Sequence, residues 1–296
     1  MKDRIQAFLK FLETDKGYAQ NTVAAYKNDL NQFYQHIEQT PEIHRWKDIK
    51  KTFITTYITN LKDSGDYASS TVARKVAAIK SFFHFLVAED TIEEDPTYTL
   101  DSPKVKKRLP KAISPAEIER LLQAPATDSG PKADRDQALL EMLYTSGMRV
   151  TELVSLNTSD LSLEDDGGTV TVRSKKNNAK DRVIPLTAEA VKVLKQYLEN
   201  GREQMLIDPH AEALFLNNRG QRLTRQGLWL IIKHYVETVG ISTQVTPHTL
   251  RHSFAAHKLS QGKSLQDIQK LLGHANISTT QVYAHLTDES KKKKSK

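Results

Sequence analysis

Residues 246–286 read TPHTLRHSFAAHKLSQGKSLQDIQKLLGHANISTTQVYAHL, and the helix starts and stops within this stretch decide how the second half of the chain folds. Thr246 is placed to cap a helix, and Pro247 suits the first helical position because its missing N–H would have no partner there. The helix is expected to run to about Gly262, a residue that readily adopts the left-handed conformation that closes helices. His248 and Arg251, three apart, then share a face. Ser264 with Asp267 opens a second helix, Gly273 ends it, and His274 falls in the turn beyond. Ser278 with Gln281 is a capping-box pattern for a third helix that carries Tyr283 in its second turn. Two sharp turns can therefore fold His274 and Tyr283 back toward the His248/Arg251 face. Taken singly these residues are ordinary. A lone tyrosine usually packs in a core, a lone histidine usually sits at a surface or cap, and an HxxR pair arises by chance in many helices.

Working back from this stretch, LTRQGLWLIIKHYVETVG reads as a helix capped by Thr224 and stopped at Gly240, and ALFLN before it as a short strand. TAEAVKVLKQYLENG is a helix with Thr187 as its cap. GGTVTVRS and DRVIPL are rich in β-branched residues and are joined by KKNNAK, whose asparagines favour a turn, so they form a β-hairpin. VTELVSL is a helical turn. DRDQALLEMLYTSG is a helix ending at Gly147 with Arg149 just beyond, and Ser114 with Glu117 caps another through Leu122. Residues 112–296 thus form a mostly helical domain with one small antiparallel sheet.

Residues 1–90 show only helical periodicity, in stripes through Ile5, Phe8, Leu9 and Leu12, through Val23, Tyr26, Leu30, Phe33 and Ile37, through Ile54, Tyr57, Ile58 and Leu61, and through Val72, Val76, Ile79, Phe83 and Leu86. Four such helices suit a bundle spanning residues 1–95. Ser69 and Ser70 are candidate caps of the fourth, whose polar side carries Arg74, Lys75 and Lys80. Residues 96–111 contain Pro96, Pro103 and Pro110 among Lys104, Lys106, Lys107, Arg108 and Lys111. That composition reads as an extended basic linker.

The chain has 296 residues, 43 basic and 36 acidic side chains for a net charge of +7, and no cysteine. The length favours two domains, and the modest basic excess points to a polyanionic partner. Lack of cysteine excludes a disulfide framework and a thiolate metal site. No apolar run is long enough to span a bilayer, and MKDRIQAFLKFLE is charged at helical spacing, unlike a secretion signal. The chain therefore reads as a soluble, cytoplasmic protein with no membrane partner.

PHTLRHSFAAH followed by LLGHANISTTQVYAH closely resembles the C-terminal signature of tyrosine recombinases, and within them the Xer type of chromosome-dimer resolvases. The likeness is almost residue for residue here and looser over the rest of the chain. It implies a mainly α fold, with an N-terminal four-helix SAM-like bundle that clasps DNA and a catalytic domain that breaks and rejoins it. Arg149, in TSGMRVTEL, matches the first catalytic arginine of the family, with Glu152 in an acidic position suited to orienting it. Arg251 matches the second. Two guanidinium groups suit the chemistry, since they fork onto phosphate oxygens and stay charged at any working pH. Tyr283 matches the nucleophile. Only roughly one phenol in a thousand is ionised at pH 7, so it needs a base or nearby positive charge, and His248 is the candidate base. His274 matches the second histidine, a donor to a non-bridging oxygen. The general acid for the 5′ leaving oxygen is expected in the hairpin turn SKKNNAKDR, two residues longer than the family's motif, with Lys175 preferred and Lys176 second.

The resemblance further implies a 3′-phosphotyrosyl intermediate, a Holliday junction, and no metal or other cofactor. The partners it implies are double-stranded DNA, a homo-tetramer or a hetero-tetramer with a sister recombinase, and a cell-division DNA translocase. Its DNA contacts are expected at Arg74, Lys75, Lys80, Lys106 and Lys107, and at Arg225 and Gln226, which open a helix suited to a major groove. The alternatives are a type IB topoisomerase, a phage or transposon integrase, the latter weakened because no extra arm-binding segment precedes the bundle, and a DNA-binding protein without catalysis, which the full set of site residues argues against.

Overall fold

The apolar stripes of the first unit close around aromatic rings. The structure, a computed structural model, describes residues 1–101, 112–164, 167–174 and 181–273, together with Thr280 and Tyr283. Helices α1 (Lys2–Thr14), α2 (Gln20–Glu38), α3 (Lys51–Asp63) and α4 (Ser69–Ala88) bury the residues that share each stripe. Phe8, Phe33, Phe82 and Phe83 are each 1% exposed or less, and Trp46 meets Phe82 edge to face with centroids 4.7 Å apart. Burying each such side chain contributes about 1.5–3 kcal/mol, which holds α1, α2 and α4 together more strongly than helix propensity does. The cap of α4 is Ala68 in extended conformation, with no side-chain hydrogen bond. Ser69 and Ser70 lie inside the helix instead.

Two further expectations change in this unit. Ile92 and Leu100 join its core, and Lys80 Nζ donates to the Leu100 carbonyl at 2.8 Å. The segment expected to begin the linker at residue 96 is thus still tied to the bundle at Leu100. Contacts divide the chain into Met1–Arg108 and Leu109–Lys296. Lys75, expected on a solvated polar face, is 5% exposed. Its ammonium donates to Asp29 Oδ1 at 3.1 Å and to Gln32, and Arg74 closes on the other Asp29 oxygen. Asp29 is itself 1% exposed. A buried carboxylate needs such partners; it draws the Lys75 ammonium inside, while Arg74 keeps 41% of its side chain exposed.

The second unit is built around α6 (Pro131–Ser146), where Ala138, Leu139, Leu140, Met142 and Leu143 are consecutive or nearly so and all 0% exposed. Arg135 and Asp136, also buried on this helix, pair with each other at 2.7 Å, as charges inside a unit must. Around it lie α5 (Pro115–Gln123), α7 (Val150–Leu153), α8 (Ala188–Gln196), α9 (Glu203–Met205), α10 (Arg225–Thr238), α11 (Pro247–Ser260) and α12 (Leu265–Leu272). The sheet is antiparallel in the order β1 (Leu161–Glu164), β2 (Gly167–Val172), β3 (Arg182–Leu186), with Leu161 opposite Val170 and Val170 opposite Ile184. It contains the expected hairpin strands and adds β1. Pro185 sits on the edge strand, where a missing N–H costs no ladder bond.

The helix that Thr187 caps widens into a π-turn at Tyr197–Arg202 rather than running on as α-helix. ALFLN forms isolated bridges, Asn157 with Ala213 and Leu216 with Arg222, not a strand. Its backbone is satisfied elsewhere. Tyr197 Oη donates to Leu214 O at 3.1 Å and accepts from Leu216 N at 3.2 Å, and Arg202 Nε donates to Ala213 O at 3.1 Å. With those groups engaged, Leu214, Phe215 and Leu216 are all buried.

Candidate active site

The site is assembled where two helices end. Thr246 Oγ1 accepts from Thr249 N and Pro247 starts α11, which sets Arg251 facing the ends of α6 and α12. Gly147 closes α6 at φ +59°, and a Cβ there would lie 2.5 Å from the Phe254 ring. Its carbonyl accepts from Arg251 Nη1 at 2.6 Å, and the Leu272 carbonyl at the end of α12 accepts from Nη2 at 2.6 Å. Arg149 Nη2 donates to Gly273 O at 3.2 Å, and Arg182 Nε to Leu271 O at 3.2 Å. Helix C-termini carry partial negative charge, so three guanidinium groups gather on two helix ends.

Glu152 balances them. Arg182 binds it through both nitrogens, Nη1 at 2.9 Å and Nη2 at 2.7 Å, while Arg149 donates its backbone N–H at 2.7 Å and Nη1 at 3.0 Å. Burial would raise this carboxyl, but the Arg182 hydrogen bonds, the Arg149 N–H and both charges bring it down to about 2. Arg251 is 5% exposed. Burial first, and then the Arg149 charge, push it down to about 10, which leaves it a cation at neutral pH. Arg149 keeps 41% of its side chain exposed and so presents a charge to solvent.

Tyr283 is 2% exposed and packs with Phe254, Ala255, Ile268 and Leu272. Burial raises its phenol and the Arg251 charge opposes that. The hydroxyl lies 2.6 Å from His252 Nδ1. His248, the expected base, is exposed at the start of α11. The ring that meets the phenol is one turn further along the same helix. A second tyrosine–histidine pair, Tyr144 Oη with His257 Nδ1 at 2.9 Å, also reaches Phe254, whose ring Tyr144 meets edge to face.

Arg149, Arg251 and Tyr283 are therefore brought together, and Lys175, Lys176, His274, Lys106, Lys107 and the capping pattern at Ser278 lie outside the described residues. Arg225 and Gln226 are exposed at the start of α10, which Thr224 caps. Two residues of the site escaped the sequence reading. Nothing in the spacing links Arg182 to Glu152, thirty positions away. His252 did carry a signal, since it follows Arg251 directly and shares a face with His248 four residues earlier.

Two anchored guanidinium groups beside a buried phenol make a site suited to phosphoryl transfer onto tyrosine. Residues 111–290 match the phage integrase family, and residues 5–90 match the phage integrase N-terminal SAM-like domain. The chain is 45% identical over 292 residues to tyrosine recombinase XerC of Roseiflexus sp. (strain RS-1), covering 98% of this chain and 91% of that protein. It is 41% identical over 287 residues to tyrosine recombinase XerD of Halalkalibacterium halodurans, covering 97% and 94%. The crystal structure of XerA recombinase aligns over 99% of this chain and 96% of its own at 29% identity and a TM-score of 0.55. Two structures share the fold at lower identity. XerH bound to a palindromic difH substrate has a TM-score of 0.79 at 21% identity over 98% and 84%, and a lambda integrase tetramer bound to a Holliday junction has 0.73 at 18% over 95% and 76%. The chain belongs to the phage integrase family and is a Xer-type tyrosine recombinase, an enzyme of site-specific DNA recombination.

Proposed function

We propose that Tyr283 attacks a scissile phosphate in double-stranded DNA, leaving a 3′-phosphotyrosyl link and a free 5′ hydroxyl. Arg149 and Arg251 neutralise the charge that grows on the non-bridging oxygens, His274 donates to one of them, and Lys175 protonates the 5′ leaving oxygen. The link conserves the free energy of the bond it replaces, so rejoining to a new strand needs neither metal nor ATP. The observation that carries this reading is the Tyr283 hydroxyl held on α11 beside Arg251.

Exchange of one strand pair at a time then passes through a Holliday junction in a tetramer, formed by this chain alone or with a sister recombinase. The lambda integrase tetramer solved on such a junction supports that arrangement. The relatives named XerC and XerD support a role in resolving chromosome or plasmid dimers at cell division, a role that would place the enzyme in the cytoplasm beside a DNA translocase. Among the described residues no helix is long and apolar enough to cross a membrane.

The test uses a duplex carrying the recombination site with a nick beside the cleavage position, so that the released fragment is lost and the adduct accumulates. The enzyme should form a covalent adduct resistant to denaturing electrophoresis, equally in EDTA, and Tyr283→Phe should bind the same DNA and form none. Adduct from the phenylalanine variant would place the nucleophile elsewhere, and a strict divalent-ion requirement would overturn the mechanism.

A further inference from the structure

The Tyr283 hydroxyl rests on a residue that the steps above leave unused. Oη is 2.6 Å from Nδ1 of His252, and the two rings are 5.4 Å apart and inclined at 51°. The contact is therefore made through the ring nitrogen, not by stacking. His252 projects from the middle of α11, directly after Arg251, so the helix that fixes the phosphate clamp also fixes this nitrogen. Arg251 is anchored at both terminal nitrogens, which leaves α11 little freedom to rotate. A phenol has one proton to give, and a neutral imidazole has one ring nitrogen with a lone pair to receive it.

We propose that His252 is the proton acceptor for the nucleophile. As Tyr283 Oη bonds to the scissile phosphorus, its proton passes to His252 Nδ1. The bond from phosphorus to the 5′ oxygen breaks, and that oxygen takes its proton from the general acid. On rejoining, a 5′ hydroxyl attacks and returns its proton to the general acid, while the Tyr283 oxygen leaves and recovers its proton from His252. The inference rests on Tyr283 being the nucleophile. Burial, with the charges of His248 and Arg251, pushes the His252 imidazole down to about 4, so the ring is neutral and able to accept before DNA arrives. The bound phosphate then adds negative charge beside it, which favours the imidazolium that the step creates. His248, exposed at the helix start, is left free to meet the phosphate.

The experiment measures adduct formation by the full chain at saturating nicked DNA. His252→Ala should be slowed by about a hundredfold or more. Replacing Tyr283 by a ring-fluorinated tyrosine, whose phenol gives up its proton more easily, should restore much of that loss and change the otherwise unaltered enzyme far less. His252→Asn, which keeps an acceptor oxygen near the Nδ1 position but cannot hold the proton, should be slowed comparably, and it serves as the variant if the alanine protein does not fold. A His252→Asn enzyme reacting at the unaltered rate would overturn the proposal, as would an alanine variant that fluorination leaves just as slow. Absence of any adduct from the unaltered enzyme would instead overturn the tyrosine nucleophile itself.

Discussion

Glu152 faces two guanidinium groups and a backbone N–H with 17% of its side chain exposed. Its carboxyl falls to about 2 in the folded protein, against about 4.3 in an unfolded chain. A carboxylate depressed by folding stabilises the protein above its unfolded value and stops doing so as pH falls toward its folded value. That linked contribution is on the order of 3 kcal/mol. Glu152→Gln should therefore cost roughly 2–3 kcal/mol near neutral pH, and the gap to the unaltered protein should shrink as pH drops from about 4 toward 2. Chemical denaturation at pH 7 and pH 3 checks this, and an equal gap at both values would mean that shape, not charge, is what Glu152 supplies. At this scale the sequence is legible where a residue acts through its neighbours. Thr246, Ser264, Thr224, Thr187 and Ser114 all cap the helices they precede. It is silent where the partner is distant, as with Lys75, whose burial depends on Asp29 forty-six positions away.

The elements that converge on the site do so because α6 stops at a residue without a side chain. Gly147 combines φ +59° with a Phe254 ring carbon 2.5 Å from where a Cβ would stand. Gly147→Ala should lose about 2–4 kcal/mol from backbone strain and displaced packing together. Because the Gly147 carbonyl anchors Arg251, adduct formation should fall with it. Gly262→Ala is the control. It has φ +88° with nothing within 4 Å, so it carries strain alone, about 1–2 kcal/mol, and should leave the adduct rate intact. Thermal melts and the nicked-substrate assay separate the two, and equal losses at both glycines would show that Phe254 yields freely. Helix periodicity made most elements readable, since amphipathic stripes repeat over many residues. β1 was missed because LSLE is short and its pairing is set by β2. ALFLN read as a strand because strand-like apolarity says nothing about where its backbone hydrogen bonds go.

Across the whole molecule, the count of 43 basic side chains overstates what is open to a polyanion, because some cations are spent inside. Lys75 is held by Asp29 and Gln32, and Lys80 by the Leu100 carbonyl, whereas Arg225 and Gln226 stand exposed at the head of α10. Arg225→Ala should weaken DNA binding and flatten its dependence on salt, since a phosphate that no longer meets a protein cation keeps its condensed counterions. Lys75→Met should leave that slope unchanged and instead destabilise the first unit by about 1–3 kcal/mol, since Asp29 and Gln32 lose a buried donor while Arg74 still meets the other Asp29 oxygen. Anisotropy titrations at several salt concentrations, with circular dichroism to follow folding, decide between them. A flattened slope from folded Lys75→Met would mean that this lysine leaves Asp29 for the DNA.

The hydrogen bond between Arg251 and Gly147 closes a span of 104 residues, and that between Tyr283 and His252 a further 31. Translation therefore delivers Arg149 long before Arg251 and the phenol last of all. On the mechanism proposed above, a nascent chain that already displays its first arginine has neither the second nor anything with which to cut. In any cell whose ribosomes work close to its genome, the growing enzyme is harmless to the DNA beside it until the helices that hold the tyrosine have been made.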